Sequence, residues 1–190
     1  RALSRISFHK SNPTDLLTVA KSLLISEKIK KEIIDLKGNK NTSISLLLKN
    51  IKFNMEITKE IIRAFKDDDQ NIKDENFINV GFSKDLDKLK LIKNNSSQKL
   101  LILQNEYIKF TSINSLKIKF NKVLGYHIEV RTTHIEKMSN LNQFIHRQTT
   151  AQASRYTTKE LLNLEKDIYE SDLKIKDKEL EIFEKIKLRI

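Results

Sequence analysis

The sequence predicts a mainly α-helical protein with a small antiparallel β module inserted between two long helices. Apolar residues recur at helical spacing along most of the chain, and between about residues 115 and 158 the period changes to two. Glycine and proline are scarce, with 3 and 1 residues among 190. Hydrophobic residues make up 38% and charged residues 32%, which is too polar for one thick core and favours a helical architecture with a large surface.

The first 82 residues are predicted to form part of a helical core. Asn12 suits the N-cap of a long helix, Pro13 its first position and Asp15 the positive end of its dipole. Gly38 is typical of the residue that ends such a helix. The side chains of this helix that we expect to be buried are Leu16, Val19, Leu23 and Ile33. The predicted helices run over about 13–36, 42–50 and 53–66.

Residues 83–114 and 159–190 are predicted to form two long helices that run in opposite directions. The second contains no glycine or proline, and its apolar residues recur every seven positions, which is typical of a helix packed lengthwise on a neighbour. These heptad residues are Leu161, Ile168, Ile175 and Ile182. The first helix is expected to bury one side, formed by Leu86, Leu89, Ile92, Leu100, Leu103 and Tyr107.

Residues 115–158 are predicted to form the β module. Apolar and polar residues alternate in KIKFN before Gly125 and in YHIEV after it. A short break that carries glycine between two alternating runs predicts a β-hairpin. This segment holds 7 basic and 2 acidic side chains, so it carries +5 of the net charge of +11. That concentration of positive charge favours a polyanion as the partner.

Several function classes find no support in the residues. No run of about 18 apolar residues predicts a membrane span, and the absence of cysteine excludes disulfides, thiolate metal sites and a cysteine nucleophile. No G-x-x-x-x-G-K-[ST] loop, catalytic triad or pair of carboxylates is found, so we predict no catalytic residue. The histidines are isolated and predict no metal site: His9, His127, His134 and His146.

The two ends of the sequence and its residue usage suggest where the protein comes from. The chain begins without methionine and stops inside a helical pattern, so we expect an internal fragment of a longer protein. Isoleucine, lysine and asparagine are abundant, which is typical of A+T-rich genomes. We therefore expect a bacterial cytoplasm or a mitochondrion as the compartment.

Four stretches carry a family resemblance: RALSRISFHKSNPTDLLTVAKSL, INVGFSKDLDKLK, SLKIKFNKVLGYHIEV and FIHRQTTAQASRYTTKELLNLE. In their order and spacing they resemble the MutS family of DNA mismatch-repair ATPases. The first is similar to the start of that family's core and the second to the start of its lever helix. The third is similar to its clamp hairpin, and the fourth to the return from clamp to lever. The last two are distinctive and stand in the right order and spacing; each is a weak signal alone, whereas together they are a strong one.

The resemblance implies that 1–82 is part of the core, 83–114 the outgoing lever helix, 115–158 the β-rich clamp and 159–190 the returning, truncated lever helix. It implies that the clamp contacts the backbone of double-stranded DNA, matched or mismatched, without reading sequence. It also implies that the longer parent is a dimer and a DNA-dependent ATPase, whose ATP and Mg²⁺ bind outside this chain. The chain itself is expected to bind no cofactor and to transmit the state of the DNA to that ATPase domain.

The resemblance and the charge pattern together select seven DNA-binding residues. Four match the clamp pattern of the family directly, a fifth stands where asparagine is usual, and two hairpin lysines are added for their charge. Ala151 stands where lysine is usual and His146 where arginine is common, which removes positive charge from this strip. In that order, the predicted DNA-binding residues are Arg147, Gln148, Thr149 and Arg155, then Gln152, then Lys119 and Lys122.

Two other classes of protein are compatible with the residues alone. One is a purely structural helical protein in which the basic excess serves solubility, and it predicts no binding to a duplex. The other is an RNA- or ribosome-binding protein with a basic β module. The chain is poor in the aromatic residues on which single-stranded RNA stacks, with 7% and no tryptophan, so the sequence favours DNA over this class.

Overall fold

The computed structural model describes residues 1–37, 47–48, 50–67 and 76–190. Gly38 and most of the predicted helix over 42–50 lie outside the described residues. The predicted fold class, mainly α with a small antiparallel β module, is confirmed. The described helices are α1 (Ala2–Ser7), α2 (Pro13–Lys37), α3 (Met55–Ala64), α4 (Lys84–Thr111), α5 (Ile135–Ser139) and α6 (Lys159–Lys187). The described strands are β1 (Lys117–Asn121), β2 (Gly125–Arg131), β3 (Ile145–Thr149) and β4 (Ala153–Thr157).

The chain forms two compact units. The first comprises Arg1–Leu86 and Lys176–Ile190, and the second comprises Asp87–Ile175. The helices α4 and α6 therefore each contribute residues to both units. Each unit buries apolar side chains of its own, such as Phe65 in the first and Ile128 in the second.

The start of α2, in the first unit, is capped as the sequence predicts. Asn12 Oδ1 accepts a hydrogen bond from the Asp15 N–H at 2.9 Å, and Asp15 Oδ2 accepts one from the Asn12 N–H at 3.2 Å. This reciprocal pair is a capping box. Asp15 is buried and is also paired with Arg5 of α1 through both carboxylate oxygens. The contact with Arg5 lowers the pKa of the Asp15 carboxyl, so its charge ties α1 to the start of α2.

The buried side of α2 is only partly the predicted one. Leu16 is buried as expected, and Leu17 and Ala20 are buried as well. Leu16 and Ala20 are one turn apart and Leu17 flanks them, so the first two turns of α2 carry the buried side. The predicted residues that are partly exposed are Val19, Leu23 and Ile33.

A buried glutamate of α6 holds the segment that precedes α4 in the first unit. The Glu179 carboxylate accepts hydrogen bonds from the N–H groups of Asn76, at 2.5 Å, and Ile78, at 3.4 Å. These two groups thereby gain a charged acceptor inside the unit. The same helix contributes one ring to a cluster whose ring centroids lie 6.1–6.3 Å apart, formed by Phe65, Phe77 and Phe183.

In the second unit, α4 and α6 lie side by side and run in opposite directions. Near one end of the pair, Lys93 Nζ lies 2.5 Å from Asp172 Oδ1. Near the other end, the Tyr107 hydroxyl lies 2.5 Å from Thr158 Oγ1. The heptad residues of α6 are buried, as predicted: Leu161, Ile168, Ile175 and Ile182.

The buried side of α4 departs from the prediction at one residue. Ile92 is 52% exposed, whereas Ser96 is buried. The inward side therefore steps by seven residues from Leu89 to Ser96 and again to Leu103, the repeat expected for two helices packed lengthwise. The other predicted residues of this side are buried or partly buried: Leu86, Leu89, Leu100, Leu103 and Tyr107.

The strands form one antiparallel sheet in the order β1-β2-β4-β3. The pair β1–β2 is the predicted hairpin, and β2 and β4 are the central strands. One face of the sheet enters the core of the second unit together with residues of α4, α5 and α6. The buried residues of this core are Tyr107, Ile113, Leu116, Ile128, Val130, Met138, Phe144, Tyr156 and Leu161.

Gly125, at the turn of the hairpin, has a backbone conformation that requires glycine and lies close to α6. Its φ of +70° lies in the left-handed region that side chains rarely adopt. A Cβ at this position would also collide with the carboxylate of Glu165 on α6. Glu165 Oε1 accepts a hydrogen bond from the Tyr126 N–H at 3.0 Å. The turn therefore needs glycine for its backbone conformation, whereas a Cβ would be accommodated by a shift of the Glu165 carboxylate, which is the flexible end of its side chain.

Replacing Glu179 with alanine should lower the free energy of unfolding by about 3 kcal/mol, because two backbone N–H groups lose their charged acceptor. Urea unfolding followed by circular dichroism measures this change. Glu184 is an exposed glutamate on the same helix, and among the described residues its ion-pair partner is Lys187. Glu184→Ala should cost less than about 1 kcal/mol. Equal losses in the two variants would contradict the role assigned to Glu179.

Candidate nucleic-acid interface

The sheet of the second unit has one polar face. Paired residues of neighbouring antiparallel strands project to the same side, so the register places Lys117 and Arg155 on either side of Glu129. Lys119 follows Lys117 by two residues on β1, and Arg131 follows Glu129 by two residues on β2, so both share that face. The alternate residues, which project into the core, are Ile128, Val130 and Tyr156.

A cavity of about 460 Å³ lies on the polar face, and we call it the basic groove. Four of its lining residues are cationic and one is acidic, so its formal charge is +3. A concave surface lined by charges of one sign raises the local concentration of the opposite ion. The lining residues are Ser115, Lys117, Lys119, Glu129, Arg131, Thr150, Gln152, Ala153 and Arg155.

Glu129 joins two of the four cations of the basic groove. Its Oε1 lies 2.6 Å from Lys119 Nζ, and its Oε2 accepts a hydrogen bond from Arg155 Nε at 3.4 Å. Arg155 also donates from Nη1 to Gln148 Oε1 at 2.7 Å. The contact with Lys119, and then that with Arg155, lowers the pKa of the Glu129 carboxyl. The glutamate is therefore ionised at neutral pH and offsets part of the positive charge around it.

The other two cations of the basic groove are differently placed. Lys117 and Arg131 are exposed, and neither has an ion-pair partner among the described residues. Their ammonium and guanidinium groups keep all their donors for water or for a bound anion. The groove thus combines two unpaired cations with two that are held by Glu129.

Four of the seven predicted DNA-binding residues meet at the basic groove. Lys119, Arg155 and Gln152 line it, and Gln148 contacts it through its hydrogen bond with Arg155. These residues come from β1, β4, the connection between β3 and β4, and β3. Gln148, Gln152 and Arg155 are close together in the sequence, and the sheet order brings them near Lys119, which lies far from them in the sequence.

The other three predicted residues lie elsewhere on the β module. Lys122 is exposed in the turn between β1 and β2, and Arg147 is exposed at a β-bulge of β3. Thr149 pairs with Ser154, whose hydroxyl lies 3.0 Å from that of Thr149. Ser154 is the partner of Val130, so Thr149 shares the face that enters the core. Contact of the seven residues with DNA stays a prediction.

The prediction does not include three charged residues of the basic groove, Lys117, Glu129 and Arg131. The alternation that places Lys117 on the same face as Lys119 is visible in the sequence, as is the two-residue step from Glu129 to Arg131. These signals were sufficient to add Lys117 and Arg131 to the predicted DNA-binding residues. The contact between Glu129 and Arg155 depends on the pairing of β2 with β4, which the sequence does not reveal.

The chemistry of the basic groove is that of an anion-binding surface. Its lysines, arginines and glutamine are hydrogen-bond donors, and most of its charges are positive. In the described ranges, no group of three or more histidine, aspartate or glutamate side chains is placed to hold a metal ion. None of the described helices is long and apolar enough to cross a membrane.

The segment that contains the sheet and the basic groove matches a known family. A model of MutS family domain IV matches residues 81–174. The DNA mismatch repair protein MutS of Persephonella marina is 36% identical over 192 residues, which cover 98% of this chain. The chain belongs to the MutS family. The MutS proteins of Bartonella tribocorum and Clostridium perfringens are each 32% identical, and the matches cover 97% and 96% of this chain.

The match to MutS extends beyond domain IV but covers a small part of each relative. The chain spans about a fifth of the length of the relatives, 21%, 21% and 20% for the three named here. The family resemblance predicted from the four stretches is confirmed. These three relatives are bacterial, and the predicted compartment of this MutS chain stays a prediction.

The carboxyl of Glu129 should titrate below the ordinary range of a glutamate, and Lys119→Gln should raise its pKa, because Lys119 is its strongest contact. A lowered pKa in the folded state means that the ion pairs stabilise the fold above the ordinary pKa. That contribution is lost as the pH falls through the folded-state pKa. A pH titration of the carboxyl carbon by NMR measures both effects.

The matched control for this titration is Lys122→Gln, which removes the same charge from the turn of the hairpin. Lys122 has no ion-pair partner among the described residues, so the titration of Glu129 should stay as it is in the unmodified chain. Equal shifts in the two variants would contradict the contact between Lys119 and Glu129.

Proposed function

We propose that the β module of this MutS chain binds duplex DNA through the phosphate backbone, with the basic groove as the contact surface. The observation that carries the proposal is the groove itself, in which four cations surround one carboxylate on an exposed sheet face. Lysine and arginine are the side chains that most often neutralise phosphates. Such contacts position a protein on a duplex without specifying its sequence.

The composition of the groove supports backbone contacts over base recognition. None of its nine lining residues is aromatic, so the groove lacks the aromatic side chains on which single-stranded nucleic acids stack their bases. Lys117 and Arg131 have no ion-pair partner among the described residues, and they add two donors to the predicted set. The proposed contacts at the groove are therefore Lys117 and Arg131 together with Arg155, Lys119, Gln148 and Gln152. The three predicted residues outside the groove, Arg147, Lys122 and Thr149, stay predicted contacts of other parts of the β module.

The role of the longer protein is part of the same proposal. We infer that the chain belongs to a DNA-dependent ATPase that acts as a dimer on matched and mismatched DNA, and that ATP and Mg²⁺ bind outside this chain. The names of the relatives, DNA mismatch repair protein MutS, support the action on mismatched DNA, whereas the ATPase and the dimer are what the family resemblance implies. The helices α4 and α6, of 28 and 29 residues, connect the β module with the remainder of the chain and are the proposed route of transmission to the ATPase.

The double variant Lys117→Gln/Arg131→Gln should weaken the binding of the 190-residue chain to duplex DNA. It should flatten the slope of log K against log salt by about 1.8, because each lost phosphate contact removes about 0.9. Matched and mismatched duplexes should be affected equally, because phosphate contacts carry no sequence information. Fluorescence anisotropy with a labelled duplex over a series of salt concentrations measures both quantities.

The control for this experiment is Lys88→Gln/Lys99→Gln, which removes the same charge from exposed positions of α4. It should leave most of the salt slope in place. An unchanged slope in the groove variant would contradict the proposed surface. Tighter binding to single-stranded RNA than to duplex DNA would favour the RNA-binding class, and no binding at all would favour a structural protein.

In the longer protein, Ile175→Pro should weaken the control of ATP turnover by DNA. Proline removes a hydrogen bond inside α6 and costs about 3 kcal/mol locally, so the helix no longer moves as one unit. The comparison variant is Lys174→Ala, at the neighbouring exposed position. It should leave the dependence of ATP turnover on DNA unchanged. A folded proline variant with normal DNA-dependent turnover would contradict transmission through α6.

A further inference from the structure

The acidic residue of the basic groove occupies its centre. Glu129 lies on β2, directly opposite Lys117 on β1 and Arg155 on β4. Lys119 reaches it diagonally across the hairpin, and Arg131 follows it by two residues on the same strand. Any phosphate that approaches these cations also approaches the Glu129 carboxylate.

Both oxygens of Glu129 are occupied by groove cations. Oε1 lies 2.6 Å from Lys119 Nζ, and Oε2 accepts from Arg155 Nε at 3.4 Å. The Glu129 side chain is 21% exposed and that of Lys119 is 50% exposed. The Glu129 side chain is therefore more buried than the Lys119 side chain that it holds. Its carboxylate contacts the donors of Lys119 and Arg155 that a phosphate would need.

We infer that Glu129 is a built-in competitor of the DNA phosphate for Lys119 and Arg155, and that it limits how tightly the basic groove holds a duplex. The inference rests on the proposed function. It divides the groove into two pairs of cations. Lys117 and Arg131 contact phosphates at once, whereas Lys119 and Arg155 do so only by exchanging the carboxylate for a phosphate.

Two effects of Glu129 oppose each other. The carboxylate holds Lys119 and Arg155 in place, which reduces the entropy that they lose on binding. It also repels a phosphate that lies within a few ångströms. Repulsion is the larger effect here because the Lys119 side chain is half exposed and does not need the carboxylate to position it toward a phosphate. Removing the charge of Glu129 should therefore strengthen binding.

The test compares Glu129→Gln with the unmodified 190-residue chain on a labelled homoduplex. Glutamine keeps the shape of the side chain and one acceptor oxygen, so the strand pairing is preserved. Binding should become about 5-fold tighter or more, because one like charge is removed at contact distance. The salt slope should steepen by about 0.9 for each cation that is released to a phosphate.

The matched control is Glu136→Gln, at an exposed position of α5 outside the basic groove. It changes the net charge by the same amount and should change affinity much less. Equal gains in the two variants would mean that only the net charge matters, and would overturn the inference. Unchanged or weaker binding of Glu129→Gln would overturn it as well.

A second comparison introduces Lys119→Gln into the unmodified chain and into the Glu129→Gln chain. If the Glu129 carboxylate competes with phosphate for the Lys119 ammonium group, the loss of this lysine should weaken DNA binding more in the Glu129→Gln chain than in the unmodified chain. Additive effects would overturn the inference. Failure of the proposed function gives a different result, since the unmodified chain would then bind no duplex, or would bind it with a salt slope independent of Lys117 and Arg131.

Discussion

The pairing register of β2 determines which side chains of the β module meet water. Ile128 and Val130 enter the core, whereas Glu129 and Arg131 face outwards. A shift by one residue would bury both charges and expose both apolar side chains, each of which contributes about 1.5–3 kcal/mol when buried. That is a large share of a net stability of about 5–15 kcal/mol. The contacts that build the core therefore also build the basic groove on the other face.

The end of β4 is fastened to the two long helices by one buried contact. Burial raises the pKa of the Tyr107 hydroxyl, so it keeps its proton and can donate to Thr158 Oγ1. Thr158 Oγ1 also accepts a hydrogen bond from the Leu161 N–H at 3.1 Å, which caps the start of α6. One threonine thus joins the last strand, the helix that follows it and the neighbouring α4.

Local signals made much of the fold predictable. The alternation around Gly125 and the heptad of α6 depend on residues close together in the sequence, and both are observed in the structure. The burial of α4 was harder to predict, because the apolar Ile92 lies on the exposed side of the helix, whereas the polar Ser96, one turn later, lies on the buried side. The basic groove was only partly predictable, because the partners of Glu129 come from two strands and one of them follows β2 only after α5 and β3.

The outer strands of the sheet, β1 and β3, each leave one row of backbone hydrogen-bonding groups unpaired within the sheet. Such edges can recruit a strand from another chain and lead to aggregation. β3 has five exposed residues and is interrupted by the bulge at Arg147, and β1 carries Lys117 and Lys119 along its length. Short strands, bulges and lysines all oppose the addition of a further strand. The basic side chains that suit an anionic partner therefore also help to keep copies of the chain from joining edge to edge.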